Sequence, residues 1–427
     1  MPAPVPKTRP LHRTRQAAGR ARGAVLAGLS RLLSVWLLSA SPTLADGIRL
    51  HRGVSMPIWE TWPDVAQIIA TPGLRAPFPE WRSVLSGDSV RHLHDQGFDF
   101  IRLPIDPAPF LALGPGPARR AMIDQTLQTI ALIHSTGLSV VVDLHAFPRP
   151  GERWGTADIV NTLWPQHLAL VAEIAAALNG LPPDRTALEP LNEPTHDCDS
   201  VYSDAPPVWP EQLAQMHSAA RAAAPDLTLV LSGACWGGVD GLISLDPALV
   251  DDSNVLWSFH SYDPFSFSHQ GASWMAPPLK YLSGLPYPPA LLTPEVAAGV
   301  RAAAIARMTA TEGHADRAAI EDIVQTYAEQ DRATTGRDIF RAAAWADAHG
   351  LAHDRLLLGE FGALAGEGDP PAWRSSFLAD KRQAAEALGI AWAVWTLTGS
   401  MGVSTDPTAR ALAPGICAAL GLQGCPP

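Results

Sequence analysis

The stretch Ser139-Val140-Val141-Val142-Asp143-Leu144-His145 decides the fold. Its consecutive valines favour an extended backbone, because branched side chains pack well on a pleated surface. The apolar run does not alternate with polar residues, so both faces of the strand must be covered. Strands covered on both faces belong to parallel sheets. Polar residues enter only at the C-terminal end, as Asp143 and His145. Short runs of related composition recur at about 49–54 (RLHRGV), 98–104 (FDFIRLP), 186–192 (TALEPLN), 228–232 (TLVLS), 255–260 (VLWSFH), 355–360 (RLLLGE) and 390–395 (IAWAVW). Ala- and Leu-rich helical segments at 86–96, 118–136, 160–180, 210–223, 336–349 and 372–388 separate most of them. Eight strands alternating with helices predict an α/β fold, a (β/α)8 TIM barrel. A long insertion follows the sixth strand, from about 264 to 335, Pro-rich over 277–294 and helical afterwards.

Composition sets the outer limits. The 427 residues are 47% hydrophobic, which excludes a disordered chain, and 34 Gly and 40 Pro occur without a collagen-like period. No uninterrupted apolar run reaches the roughly 18 residues that a membrane span needs. Seven basic and no acidic residues lie within 1–45, leaving 24 basic against 42 acidic residues and a net charge of −18 for the remainder. A body that acidic repels phosphate backbones, so nucleic acid is not expected as a partner.

The basic head followed by the apolar Leu32–Leu38 stretch and Thr43-Leu44-Ala45 reads as an export signal. A signal peptide over 1–45 and one catalytic domain over 46–427 are expected; an uncleaved membrane anchor is the alternative. Export makes disulfides possible for Cys198, Cys235, Cys417 and Cys425, with Cys417 and Cys425 the first pair expected. The expected location is secreted or periplasmic, as a monomer that leaves the membrane once the signal is cleaved.

The chemistry-bearing residues gather at the strand ends: Arg102, Asp143, His145, Asn192, Glu193, His260, Tyr262, Glu360 and Trp395. In a TIM barrel those ends converge on one site. Glu193 and Glu360 each follow an apolar run, where a charge is costly unless it faces a polar site. Two carboxylates across one pocket are what glycoside hydrolysis requires. For either glutamate alone, a salt bridge to the next helix is an equally good reading. Asp143 is expected to pair within the barrel, and Glu189 to stand behind Glu193. No H-E-x-x-H occurs, and neither metal nor cofactor is expected.

Seven stretches in order resemble glycoside hydrolase family 5, the cellulase family of the large retaining (β/α)8 clan. They are Arg52-Gly53-Val54, Ile101-Arg102-Leu103-Pro104, Asp143-Leu144-His145, Leu191-Asn192-Glu193-Pro194, His260-Ser261-Tyr262, Gly359-Glu360-Phe361-Gly362 and Trp392–Trp395. The resemblance implies that Glu193 is the general acid/base and Glu360 the nucleophile. It implies that Asn192 bonds the sugar 2-hydroxyl, that Tyr262 and Arg102 keep the nucleophile ionised, and that His260 stands beside the acid/base. It places His145 and Trp395 at the floor and stacking platform next to the cleaved bond. Trp236, in a Gly-flanked loop, and Trp274, after His269-Gln270-Gly271, are expected in the cleft. Trp59, Trp62, Trp154 and Trp392 fit either cleft or core. The substrate expected is a polysaccharide or oligosaccharide, with β-1,4-glucan leading. Mannan, xyloglucan, β-1,3-glucan, an exopolysaccharide of the source organism, transglycosylation and non-catalytic polysaccharide binding stay open on the same frame.

Overall fold

The computed structural model describes residues 47–57, 86–147, 154–205, 207–366, 368–406, 408, 411–413 and 415–425. The leader 1–45, Trp59 and Trp62 lie outside the described residues. Among those described, eight strands run in the order β1 Arg52–Ser55, β2 Phe100–Ile105, β3 Ser139–Leu144, β4 Thr186–Glu189, β5 Thr228–Ser232, β6 Val255–His260, β7 Leu356–Phe361 and β8 Ala391–Val394. Each pairs in parallel with its sequence neighbour, and β8 closes on β1. The expected (β/α)8 barrel is therefore the observed fold. No helix among the described residues is long and apolar enough to cross a membrane.

Two expected elements are drawn differently. β4 ends at Glu189 rather than at 192, because Pro190 has no N–H to give to a ladder. The expected helix 160–180 is two helices, Thr156–Asn161 and Trp164–Leu178. Pro165 is tolerated only in a first turn, so a helix has to start there. The insertion carries the helices Pro294–Glu312 and Arg317–Ala328, whose first turns are capped by Thr293 and Asp316.

The two-residue period of the strands sorts the barrel interior into layers. Phe100, Val141, Ala187, Val230, Leu256, Leu357, Ala391 and Ala393 form an apolar plug. Two positions further along their strands stand Arg102, Asp143, Glu189, Ser232 and Ser258, all buried. The polar layer thus lies toward the C-terminal strand ends, above the plug. Outward-facing residues of the same strands, Leu103, Val142, Leu188, Leu231 and Phe259 among them, pack under the helices in the main core.

Gly53 is required by the plug. A Cβ there would stand 2.3–2.6 Å from three ring carbons of Phe100. Gly53→Ala is expected to destabilise the fold by about 1–3 kcal/mol through overpacking. Phe100→Leu in the same chain should recover part of that loss, and urea denaturation of the single and double variants checks both expectations.

Candidate active site

Arg102 organises the polar layer. Its Nη1 donates to Glu360 Oε1 at 2.7 Å, Nε to Glu189 Oε2 at 2.8 Å, and Nη2 to Glu189 Oε1 at 3.1 Å and Asn192 Oδ1 at 2.7 Å. Nη2 also lies 2.9 Å from Asp143 Oδ2. Burial alone would lower the guanidinium pKa, but Asp143, Glu189 and Glu360 hold it well above its ordinary value. Burial raises the Glu189 carboxyl, with Arg102 opposing.

Glu360 reaches this layer through a bulge. Phe259 pairs with Leu358 but His260 with Glu360, and on the other side Leu358 pairs with Trp392 but Phe361 with Val394. β7 thus carries one extra residue, at Gly359–Glu360. Leu357 faces the plug, and strict alternation would point Glu360 at the helices; the bulge turns it inward. Gly359 permits the turn, since a Cβ there would stand 2.4 Å from Ser258 Oγ and 3.0 Å from His260 Nε2.

Inside, Tyr262 donates its hydroxyl to Glu360 Oε2 at 2.7 Å. Burial would raise the Glu360 carboxyl, but His260, Arg102 and the Tyr262 hydroxyl together hold it below the ordinary carboxylate range. Burial and Glu360 push the Tyr262 hydroxyl well up, so it stays a donor. His260 Nδ1 lies 2.7 Å from Glu193 Oε1 and 3.6 Å from Glu360 Oε2. Burial would lower this imidazole, but Glu360 and Glu193 raise it.

Glu193 is the more open of the pair, its side chain 26% exposed against 5% for Glu360. It does not follow the strand directly but sits in the loop beyond Pro190, with φ at 41°. That loop is tied to the one after β5: Trp236 N donates to Pro194 O at 2.8 Å, Cys235 N to His196 O at 3.1 Å, and Cys198 is disulfide-bonded to Cys235. The expected Cys417–Cys425 pair is also bonded. From below, His167 Nε2 donates to Pro190 O at 2.9 Å.

His145 completes the floor. Its Nδ1 lies 3.0 Å from Asp143 Oδ2 and its Nε2 3.3 Å from Asn192 Nδ2. Since an amide nitrogen only donates, this arrangement leaves Nε2 as acceptor and Nδ1 as donor. The ring stacks between Phe147 at 4.4 Å and Trp395 at 5.2 Å, both at 16°. Phe147 and His167 carried no sequence signal beyond their residue type.

The expected cleft aromatics divide. Trp236 and Trp274 are 58% and 57% exposed. Trp236 neighbours Gly237, whose carbonyl accepts from His260 N at 2.8 Å. Trp274 meets His269 edge-on at 6.3 Å, and His269 in turn lies edge-on to Tyr262 at 4.9 Å. Phe265 stacks on His269 at 4.1 Å. Phe267 instead packs on Tyr287 and Phe377, and Gln270 holds both backbone groups of Leu285, so these two pin the insertion. Trp392 is core, buried against Phe98 and Phe361 outside the barrel, and Trp154 packs on the main core.

One oxygen of Glu193, one of Glu360 and one nitrogen of His260 lie within 4.8 Å of one another. That spacing is also within reach of a metal ion. The Arg102 guanidinium, 2.7 Å from Glu360, opposes a second cation there, and the three side chains already engage one another.

A buried and a more open carboxylate at the C-terminal mouth of a TIM barrel are the equipment of a barrel glycosidase. The chain belongs to the cellulase family, glycosyl hydrolase family 5, whose model matches residues 75–400. It is 24% identical over 344 residues to endoglucanase 3 of Fibrobacter succinogenes, covering 76% of this chain and 48% of that protein. It is 26% identical over 190 residues to cellodextrinase A of Ruminococcus flavefaciens, covering 44% of this chain and 54% of that one. The matches thus span about half the length of these curated relatives. The fold is similar to that of the cellulose synthase subunit Z of Clostridioides difficile, with a TM-score of 0.61 at 18% identity over 87% of this chain and 99% of that one.

The anchor beneath the Glu193 loop has a pH signature. Burial pushes the His167 imidazole down to about 4 from 6.5, against its bond to Pro190. An unfolded chain takes up a proton near pH 6.5 that the folded one refuses until about pH 4. The stability contributed is therefore complete above that window and falls as pH drops through it, by up to about 3 kcal/mol. Urea denaturation at pH 7 and pH 5 should show a smaller acid loss in His167→Gln than in the wild type.

Proposed function

We propose that this chain is a retaining, endo-acting β-glucan hydrolase of the endo-β-1,4-glucanase type, with Glu360 as nucleophile and Glu193 as general acid/base. The carrying observation is the closeness of the two carboxylates, with an oxygen of each within 4.8 Å. Double displacement uses a carboxyl separation of about 5–5.5 Å, whereas inversion needs about 6.5–9.5 Å to admit a water. The environments also match the roles. Arg102, Tyr262 and His260 favour an ionised Glu360, and Glu193 has the solvent access that proton exchange requires.

In the first step Glu360 attacks the anomeric carbon while the bond to the leaving oxygen breaks. Glu193 gives that oxygen its proton, leaving a glycosyl ester on Glu360. In the second step Glu193 takes a proton from water, the water oxygen attacks the same carbon, and Glu360 leaves as carboxylate. Asn192 Oδ1 accepts from Arg102 and its amide donates one hydrogen toward His145, which keeps one amide hydrogen for a sugar 2-hydroxyl. Trp395, stacked on His145, offers an indole face to a pyranose ring. Trp236 and Trp274 offer further exposed apolar faces.

Export to the periplasm or medium, with 1–45 as the signal and 46–427 as the catalytic domain, is supported by the acid-free basic leader and by two disulfides, which persist in oxidising compartments. The exported protein should start near Asp46; membrane-held protein with an intact Met1, found by mass spectrometry, would replace the signal with an anchor.

A panel of polysaccharides and aryl cellobiosides tests the chemistry. Glu360→Gln should lose turnover on every substrate. Glu193→Gln should spare an activated aryl glycoside more than a natural chain, because a good leaving group needs little protonation. The first product seen by NMR should be the β-anomer; an α-anomer would establish inversion. Trp274→Ala should raise KM roughly tenfold for long oligosaccharides, the worth of one stacked aromatic, and barely affect a short aryl glycoside.

A further inference from the structure

Ser261 lies between His260 and Tyr262, and its side chain faces away from both, into the helix layer. Its hydroxyl meets two helices there. Lys381 Nζ, from Pro371–Ala387, donates to Ser261 Oγ at 2.6 Å, and Ser261 Oγ donates to Asp338 Oδ2, from Thr334–Ala348, at 3.0 Å. A hydroxyl has one proton to give, so an acceptor on one side and an ammonium on the other fix its orientation. The Ser261 backbone N–H donates to the Glu360 carbonyl at 3.0 Å. One residue therefore joins two outer helices, the backbone of Glu360, and two of the side chains that face the Glu360 carboxylate.

Lys381 is fully buried. Burying an ammonium is expensive, and positioning a single serine does not by itself require a charge. The charges facing it are Asp338 and Asp263, which favour the ammonium, and Arg337, which opposes it. Phe377, on its own helix, lies 5.7 Å away. Burial pushes the amine down to about 8, so it is charged at neutral pH.

We propose that Lys381 is a positioning residue for the reaction: through Ser261 it holds the His260–Tyr262 segment in the register that keeps Glu360 ionised. This inference rests on Glu360 being the nucleophile. The groups that face Glu360 are Arg102, His145, His260, Tyr262 and Glu193. Of these, His260 and Tyr262 move with Ser261, while Arg102 and His145 are held independently by Glu189, Asp143 and Asn192.

The sign of the effect follows. When His260 and Tyr262 loosen, Glu360 loses two of the influences that lower its pKa. Its pKa rises, and activity, which requires the carboxylate, begins to fail at a higher pH on the acid side. A helix-packing role alone changes stability and leaves that limb in place.

The experiment measures kcat/KM against pH on an activated aryl β-cellobioside for the full chain, Ser261→Ala, Lys381→Met and the double variant. Glu360→Gln, run alongside, tests the nucleophile assignment separately: turnover retained there removes that assignment whatever the Lys381 series shows. Ser261→Ala is expected to lower kcat about tenfold with KM within about twofold, and to move the acid limb up by about half a pH unit or more, the size of one lost hydrogen-bonded link. Lys381→Met should do the same in the wild-type background and add almost nothing in the Ser261→Ala background, since both act through one contact. An unmoved acid limb in Ser261→Ala overturns the inference, and so do fully additive losses in the double variant. If Lys381→Met does not fold, the acid limb of Ser261→Ala decides alone.

Discussion

The guanidinium of Arg102 is the constraint on which the rest of the site depends. It is fully buried and touches three carboxylates, Asp143, Glu189 and Glu360, together with the Asn192 amide. A charge in that place is tolerable only because its partners come from several strands at once. Three of those partners have a second contact: Asp143 and Asn192 both meet His145, and Glu360 accepts from Tyr262. Removing the cation would leave several buried carboxylates uncompensated, so stability and site geometry rest on the same contact.

Around that centre, the two glutamates are held by different kinds of structure. Glu360 lies on a strand and is aimed by a bulge, so its position follows the rigid barrel. Glu193 lies in a loop, and several external ties substitute for a strand. They are the Cys198–Cys235 bond, the hydrogen bonds from Cys235 and Trp236, and the His167 support under Pro190. The division suits the proposed roles. A nucleophile must be fixed against a single carbon, whereas an acid/base must exchange protons with water.

The insertion after β6 is part of the barrel wall as much as of the cleft. Tyr287 donates to Asp380 at 2.5 Å and Tyr327 to Pro286 O at 2.5 Å, while Phe267, Tyr287 and Phe377 pack together. With one end pinned this way, Trp274 and Phe265 can stay exposed on a segment anchored to the core. Exposed aromatic faces on a rigid support bind with little loss of side-chain entropy.

By itself the sequence determined the architecture and named the polar residues that gather at the strand ends. Apolar runs such as Ser139–Leu144 could be only buried parallel strands, and their polar ends marked Arg102 and Asp143. The strand-end rule of the barrel then named Glu193, Glu360, His260 and Tyr262. Three features had no local signal. Strict alternation from Leu357 points Glu360 outward, and only pairing with β6 and β8 reveals the extra residue that turns it in. Trp392 and Trp395 look alike in one short run, yet one is core and the other borders the cleft, because the strand alternates faces. The partners of Arg102, the pairing of Cys198 with Cys235, and the link from Lys381 to Ser261 join positions 37 to 258 residues apart or across separate helices. Local pattern reports the period of an element and which face is apolar. Contacts between distant elements, and the charges they stabilise, are decided only when the barrel closes.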